Sequence, residues 1–275
     1  MAQDNSAQKT YWNDAAGPNW VAAQSNLDAM LEPLSAQAIA RAQVGASERV
    51  LDVGCGCGAT TLALAEVGAT AIGIDLSEPM IARAKERLVH IDNAQVLVED
   101  ACTYRSDLPF DVLFSRFGVM FFADPYEAFT HLRGQLRESG RLVFICWQGP
   151  EHNPWMAIPG RAVAPFLKPQ DPPPQPTDPG PFAFANPEYV LSILTQAGFS
   201  DIQLDSIEAD LFLGATLDDV MAYQQFIGPV SRAIKELSGE DQAQAIQAAR
   251  TAFAPLISEQ GLSLPGRAWL VSARA

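Results

Sequence analysis

Histidine is scarce in this chain of 275 residues: three occur, His90, His131 and His152, so any imidazole base must come from among them. Basic residues are also few, 18 Lys and Arg against 32 Asp and Glu, for a formal net charge of −14. That balance argues against a long phosphate-tracking surface, which needs cations to neutralise the backbone, so no nucleic-acid partner is expected. Long apolar runs are missing as well. The longest candidate, Val50 to Leu76, is broken by Asp52, Glu66 and Asp75 and by repeated glycines, so no apolar run approaches the roughly 20 residues that cross a bilayer. The first residues, MAQDNSAQKTYWND, lack the basic-then-apolar order of a signal peptide, and a cytoplasmic location is the expectation. Cysteines number four: Cys55, Cys57, Cys102 and Cys146. Their spacing fits neither a zinc motif nor a CxxC pair, so they read as small buried hydrophobes near strand ends, and no metal is expected.

What is present is a core. Hydrophobic residues make up 48% of the chain, enough to exclude a disordered polymer. Residues 1–45 read as a helical cap with an apolar stripe at Leu27, Met30, Leu31, Leu34, Ala38 and Ile39, interrupted at Pro33. From residue 46 to 147, strand signals (RVLDV, ATAIGID, AQVLVED, FDVLFS, RLVFICW) alternate with helical segments, one of them over Asp124 to Arg137. This alternation predicts an α/β fold, a doubly wound, mostly parallel sheet with helices on both faces. Residues 148–187, rich in proline, read as an irregular lid. Residues 188–275 complete the sheet with a helix, a long strand, a helical insertion at about 216–260 and a final strand AWLVSARA, for seven strands in all.

The sharpest signal is Asp52-Val-Gly-Cys-Gly-Cys-Gly58 between a strand and a helix. Gly54, Gly56 and Gly58 allow positive φ and close approach of a ligand to bare backbone. Asp52 precedes this turn and can hold loop amides or meet a cationic amino group. Asp75 and Asp100 close the next two strands: the first suits the two hydroxyls of a ribose, the second can accept from the exocyclic amine of adenine. Three acids at three successive strand ends point to a nucleoside ligand. Gly54-x-Gly56-x-x-Ala59 also fits a dinucleotide fingerprint, which keeps a nicotinamide-dependent oxidoreductase as an alternative.

The strings VLDVGCGCG, GIDLS and VEDA resemble the class I S-adenosylmethionine-dependent methyltransferases, and look closest to their small-molecule, quinone-biosynthesis-like branch. The resemblance implies S-adenosylmethionine as cofactor. By it, Gly54, Cys55, Gly56 and Gly58 line the methionine moiety, Asp75 holds the ribose, and Asp100 with Ala101 faces adenine. Leu76 and Met80 pack beside the ring, Ser115 sits near the donor, and Tyr11 and Trp20 close over it. The family's nucleobase- and glutamine-methylating members carry an Asn/Asp-Pro-Pro-Tyr turn where this chain has SRFG, which points away from a nucleobase acceptor.

Methyl transfer from an already activated sulfonium needs mainly alignment and exclusion of water. His152, just past the fifth strand, is the candidate base, and Arg116 the candidate contact to an acidic acceptor, with a structural ion pair as its other reading. Phe117, Met120, Phe121 and Phe122, with Trp147, Trp155, Met156, Phe182, Phe184, Tyr223 and Phe226, suggest an apolar pocket for a small organic, aromatic or lipophilic acceptor. A third reading is a protein that binds S-adenosylmethionine without transferring its methyl group.

Overall fold

The computed structural model describes residues 5–169 and 171–275; the first four residues of the expected cap and residue 170 of the expected lid lie outside the described residues. The N-terminal segment is helical: α1 (Ser6–Thr10), a π-helical turn (Tyr11–Ala16), α2 (Gly17–Ala22) and α3 (Gln24–Ala42). Contrary to the sequence reading, Pro33 does not interrupt α3. The helix runs through it, with Leu27, Met30, Leu31, Leu34 and Ala38 all buried, and burial of that stripe outweighs one lost backbone hydrogen bond.

The alternating core follows as β1 (Arg49–Val53), α4 (Ala59–Glu66), β2 (Thr70–Asp75), α5 (Glu78–Arg87), β3 (Ala94–Val98), β4 (Phe110–Arg116), α6 (Pro125–Arg133) and β5 (Leu136–Trp147). α6 stops at Gly134, four residues earlier than the sequence suggested, and Leu136 already pairs with Phe110 of β4. Pairing to a neighbouring strand overrode the helical propensity of Leu136 and Arg137. β1 and β4 are buried along almost their whole length, as expected for central parallel strands covered on both faces. Ser77 and Asp124 cap α5 and α6, accepting from the amides of Met80 and Glu127.

The expected lid is not wholly irregular. It contains α7 (Pro154–Val163), which tolerates Pro154 in its first turn, followed by proline-rich coil. Then come α8 (Pro187–Gln196), β6 (Ser200–Gly214), α9 (Leu217–Gln224), α10 (Gly228–Glu236), α11 (Gly239–Phe253) and β7 (Leu262–Arg274). The seven strands form one open sheet in the order β3-β2-β1-β4-β5-β7-β6, with β7 antiparallel to both neighbours.

β7 is longer than AWLVSARA. Its pairing with β5 ends at Ala268 opposite Trp147, yet its pairing with β6 continues to Leu262. Residues 262–267 and their β6 partners are therefore a two-stranded arm that outruns the carboxyl end of β5. Pro265 sits on that arm, where one side needs no backbone donor. The arm carries α9–α11, and α7 packs on α10 and α11, so a helical layer stands over the carboxyl edge of the sheet. Among the described residues no helix is long and apolar enough to cross a membrane.

Candidate active site

A cavity of about 910 Å³ lies along that carboxyl edge, between the strand ends, the N-terminal helices and the arm-borne layer. Its floor begins where β1 ends. Gly54 has φ +67, and a Cβ there would sit 2.8 Å from Cα of Gly118 in the loop after β4. The two loops touch backbone to backbone, leaving room for nothing larger than hydrogen at either position. Gly56, at φ +55, faces the end of the Met80 side chain.

Asp75 closes β2 at the cavity wall. One carboxylate oxygen accepts from the amide of Gly56 (2.9 Å) and the other from the amide of Ser77 (2.8 Å), so each retains a lone pair for a ligand. Burial pushes its pKa up to about 6, and the two amides pull against that shift without cancelling it. Asp100, after β3, accepts from the amide of Cys102 (2.8 Å) and from Asn5 Nδ2 (2.9 Å). The N-terminal segment is clamped onto these loops: Asn13 Nδ2 donates to the carbonyl of Leu76 and Asn13 Oδ1 accepts from the amide of Glu78. Asn5 Oδ1 accepts from the amide of Ala123, and Asn19 Nδ2 donates to the carbonyl of Phe226. Trp12 packs edge-on against Trp20 and Phe121. A π-helical turn at a ligand-facing segment is a recurrent functional irregularity, and here it holds Tyr11 and Trp12 at the cavity.

Past Gly118 the lining becomes apolar. Phe117 lies flat on Trp147, Trp155 tilts against Trp147, and Met120, Met156 and Phe182 continue the wall. Buried Asn153 fixes this corner: its Nδ2 donates to the carbonyls of Gln148 and Arg267, and its Oδ1 accepts from Trp155 Nε1 and the amide of Arg267.

Comparison with known proteins places this architecture. Residues 51–144 match the family described as a methyltransferase domain. That match covers about a third of the chain. The trans-aconitate 2-methyltransferase of Klebsiella pneumoniae is 32% identical to it over 133 residues, 44% of this chain and 51% of that protein. The demethylmenaquinone methyltransferase of Clavibacter sepedonicus is 34% identical over 106 residues, 37% of this chain and 41% of that protein. The chain thus spans about half the length of the curated relatives it matches. The structure of the YcgJ protein from Bacillus subtilis superposes with a TM-score of 0.58 at 16% identity, covering 87% of this chain and 97% of that one, a likeness of fold.

The structure brings Tyr11, Trp20, Gly54, Gly56, Asp75, Leu76, Met80, Asp100, Ala101 and Arg116 together around this cavity. Other expected site residues fall elsewhere. Asp52 is fully buried behind the loop, where one oxygen accepts from the hydroxyls of Thr60 and Thr61, both at 2.7 Å, so it braces the start of α4 and does not line the cavity. Gly58, at the N-terminus of α4, faces Ala84 of α5 and Leu88 just past that helix. Ser115 donates to the carbonyl of Val53 (2.7 Å), a clip between β4 and β1. Cys55 borders the cavity, but its side chain packs with Ile81, Ala84 and Val96, leaving its backbone as what it can offer. His152 is half-exposed beside Glu151 on a short turn and does not line the cavity, which corrects its reading as a base. Arg116 does line the cavity, with its guanidinium donating to Ser35 Oγ at 3.3 Å and 3.7 Å from Asp28, the structural alternative among its two readings.

Sequence reasoning missed Asn5, Trp12, Asn13, Asp28, Glu99 and Gly118. Asn13 and Trp12 adjoin Tyr11, and Glu99 precedes Asp100, so neighbourhood was the available signal for these. Asp28 and Gly118 become visible only when α3 and the β4 loop are docked.

Proposed function

We propose that the chain transfers a methyl group from S-adenosylmethionine to a small lipophilic or aromatic acceptor. The observation that carries this reading is the division of one cavity at Gly54 and Gly118 into an acid-lined half and an apolar half. The residues present fit the donor: bare backbone at Gly54 and Gly56, a carboxylate with spare lone pairs at Asp75, and Asp100 beside Ala101 at the next strand end. Asp75 would hold the ribose hydroxyls, Leu76 and Met80 would flank the adenine, and Asp100 would face its amine. Asp28 and Arg116, of opposite charge, lie at the cavity and would meet the charged methionine end. Bound there, S-adenosylmethionine supplies a methyl group on a positively charged sulfur. The protein's part is then to align the acceptor behind that methyl and keep water away, which the aromatic wall and the docked N-terminal segment are built to do.

The nicotinamide alternative needs a pyrophosphate on the N-terminus of α4. Gly58 turns toward α5, and neither it nor Ala59 lines the cavity, so this geometry favours the methyl donor. Equilibrium titration separates the readings: S-adenosylhomocysteine should bind and NADH should not. Tight NADH binding with no affinity for S-adenosylhomocysteine or S-adenosylmethionine would overturn the proposal. A protein that binds without transferring would leave labelled methyl on the donor in the presence of acceptors.

A further inference from the structure

The apolar half of the cavity is walled by aromatic and thioether side chains. None of His90, His131 and His152 lines it; His131 Nε2 sits 2.7 Å from the carbonyl of Tyr104 outside it. Outside the donor-side acids and the two loop cysteines, the titratable or charged side chains at the cavity, among the described residues, are Tyr11, Asp28, Arg116, Arg232, Lys235 and Glu236. Asp28 is engaged by Arg87 (2.9 Å) and Gln24 Nε2 (2.6 Å), and Glu236 by Arg232 (2.6 Å). Arg116, Arg232 and Lys235 carry donors and no acceptor. Burial holds the phenol of Tyr11 above its ordinary value, so near neutral pH it keeps its proton. Burial likewise pushes the thiol of Cys57 up to about 11 and raises that of Cys55.

The shape of the same half is specific. Phe117 and Trp147 stack with ring centroids 4.0 Å apart and planes 9° from parallel, and Trp155 meets Trp147 at 5.2 Å. Met120 and Met156 add soft, adaptable contact. Such a lining selects flat aromatic or conjugated molecules. On α10, Arg232, Lys235 and Glu236 border the same cavity, with Arg232 and Glu236 paired to each other.

Building on the methyl-transfer reading, we infer that the acceptor is a flat aromatic or conjugated molecule with a hydroxyl acidic enough to ionise in water, and that it enters already as the anion. Its proton goes to bulk solvent before binding. In the transfer step a lone pair on the acceptor oxygen forms the new O–CH3 bond as the S–CH3 bond breaks. The electron pair of the broken bond stays on sulfur, leaving a neutral thioether, and no proton moves.

The test uses the full chain with phenol, para-cyanophenol and para-nitrophenol as acceptors and isotopically labelled S-adenosylmethionine, after donor binding has been measured by titration. The acid limb of kcat/KM against pH should move with the acidity of each acceptor. At fixed neutral pH the reactive anion rises by about tenfold for each unit by which the acceptor pKa falls below the ordinary phenol value of ~10. Trp155→Leu should raise KM for para-nitrophenol about tenfold and leave donor affinity unchanged. With the donor held saturating at every pH, an acid limb that stays fixed for all acceptors would show a protein base and overturn the inference alone. So would donor binding with no methylation of any acidic phenol. Absence of donor binding would overturn the methyl-transfer reading itself, and the inference with it.

Discussion

Phe117 occupies the left-handed region, φ +60, and lies face to face with Trp147 at the junction between the two halves of the cavity. A non-glycine residue there is held against its own backbone preference by what packs on its ring. The amide of Phe117 donates to the carbonyl of Ile145, so the ladder between β4 and β5 fixes the backbone while the indole fixes the side chain.

Replacing that ring separates packing from backbone strain. Phe117→Ala should lose about 3 kcal/mol or more of stability, whereas Phe117→Gly should lose about 1 kcal/mol less because glycine adopts this φ freely. Denaturant unfolding of both variants checks this. Equal stabilities would remove the strain from the account.

The two loop glycines should differ. A Cβ at Gly54 meets the backbone of Gly118, whereas one at Gly56 meets the movable end of Met80. Gly54→Ala should therefore cost about 2–3 kcal/mol and Gly56→Ala about 1–2 kcal/mol, the backbone cost alone. Thermal unfolding should rank Gly54→Ala as the less stable of the two.

Donor affinity should depend on the charge of Asp75. Its folded-state pKa is raised, to about 6, so the carboxylate form is present above that pH and is lost as pH falls through it. S-adenosylhomocysteine affinity should then weaken by about tenfold per pH unit below 6, the factor by which the charged fraction falls. Asp75→Asn should bind weakly at every pH and flatten that dependence. A wild-type affinity unchanged between neutral pH and pH about 5 would remove the carboxylate from ligand binding.

Bracing behind the loop should show in stability. Thr61→Val removes one of the two hydroxyls that donate to Oδ2 of buried Asp52 and should cost about 1–3 kcal/mol, with donor affinity of the folded protein unchanged. His152→Ala should leave both stability and methyl transfer within about twofold of wild type, as for an exposed residue away from the site. A large loss of turnover would restore it as a base.

The sheet was legible in sequence because parallel core strands are apolar throughout and alternate with helices whose caps and glycine stops are written locally. The acids at Asp75 and Asp100 were legible for the same reason: each directly follows a strand whose end is plain. What failed was orientation. Asp52 and Ser115 lie on strands beside Asp75 and Gly118 in sequence logic, but pleat alternation turns them behind the loop. His152 depended on a turn set by Asn153, whose partners Gln148 and Arg267 lie at distant positions in the chain. The helical layer over the site could not be foreseen either, because it stands on the extension of β7 past Trp147, which only pairing with β6 reveals.

Crystallising the protein with S-adenosylhomocysteine tests the central claim most directly. The account places the ribose hydroxyls about 2.5–3.0 Å from the carboxylate of Asp75, with the sulfur beside Gly54 and Gly56 and its open side toward Phe117 and Trp147. A ligand bound elsewhere, or bound in the cavity with its ribose away from Asp75, would contradict it.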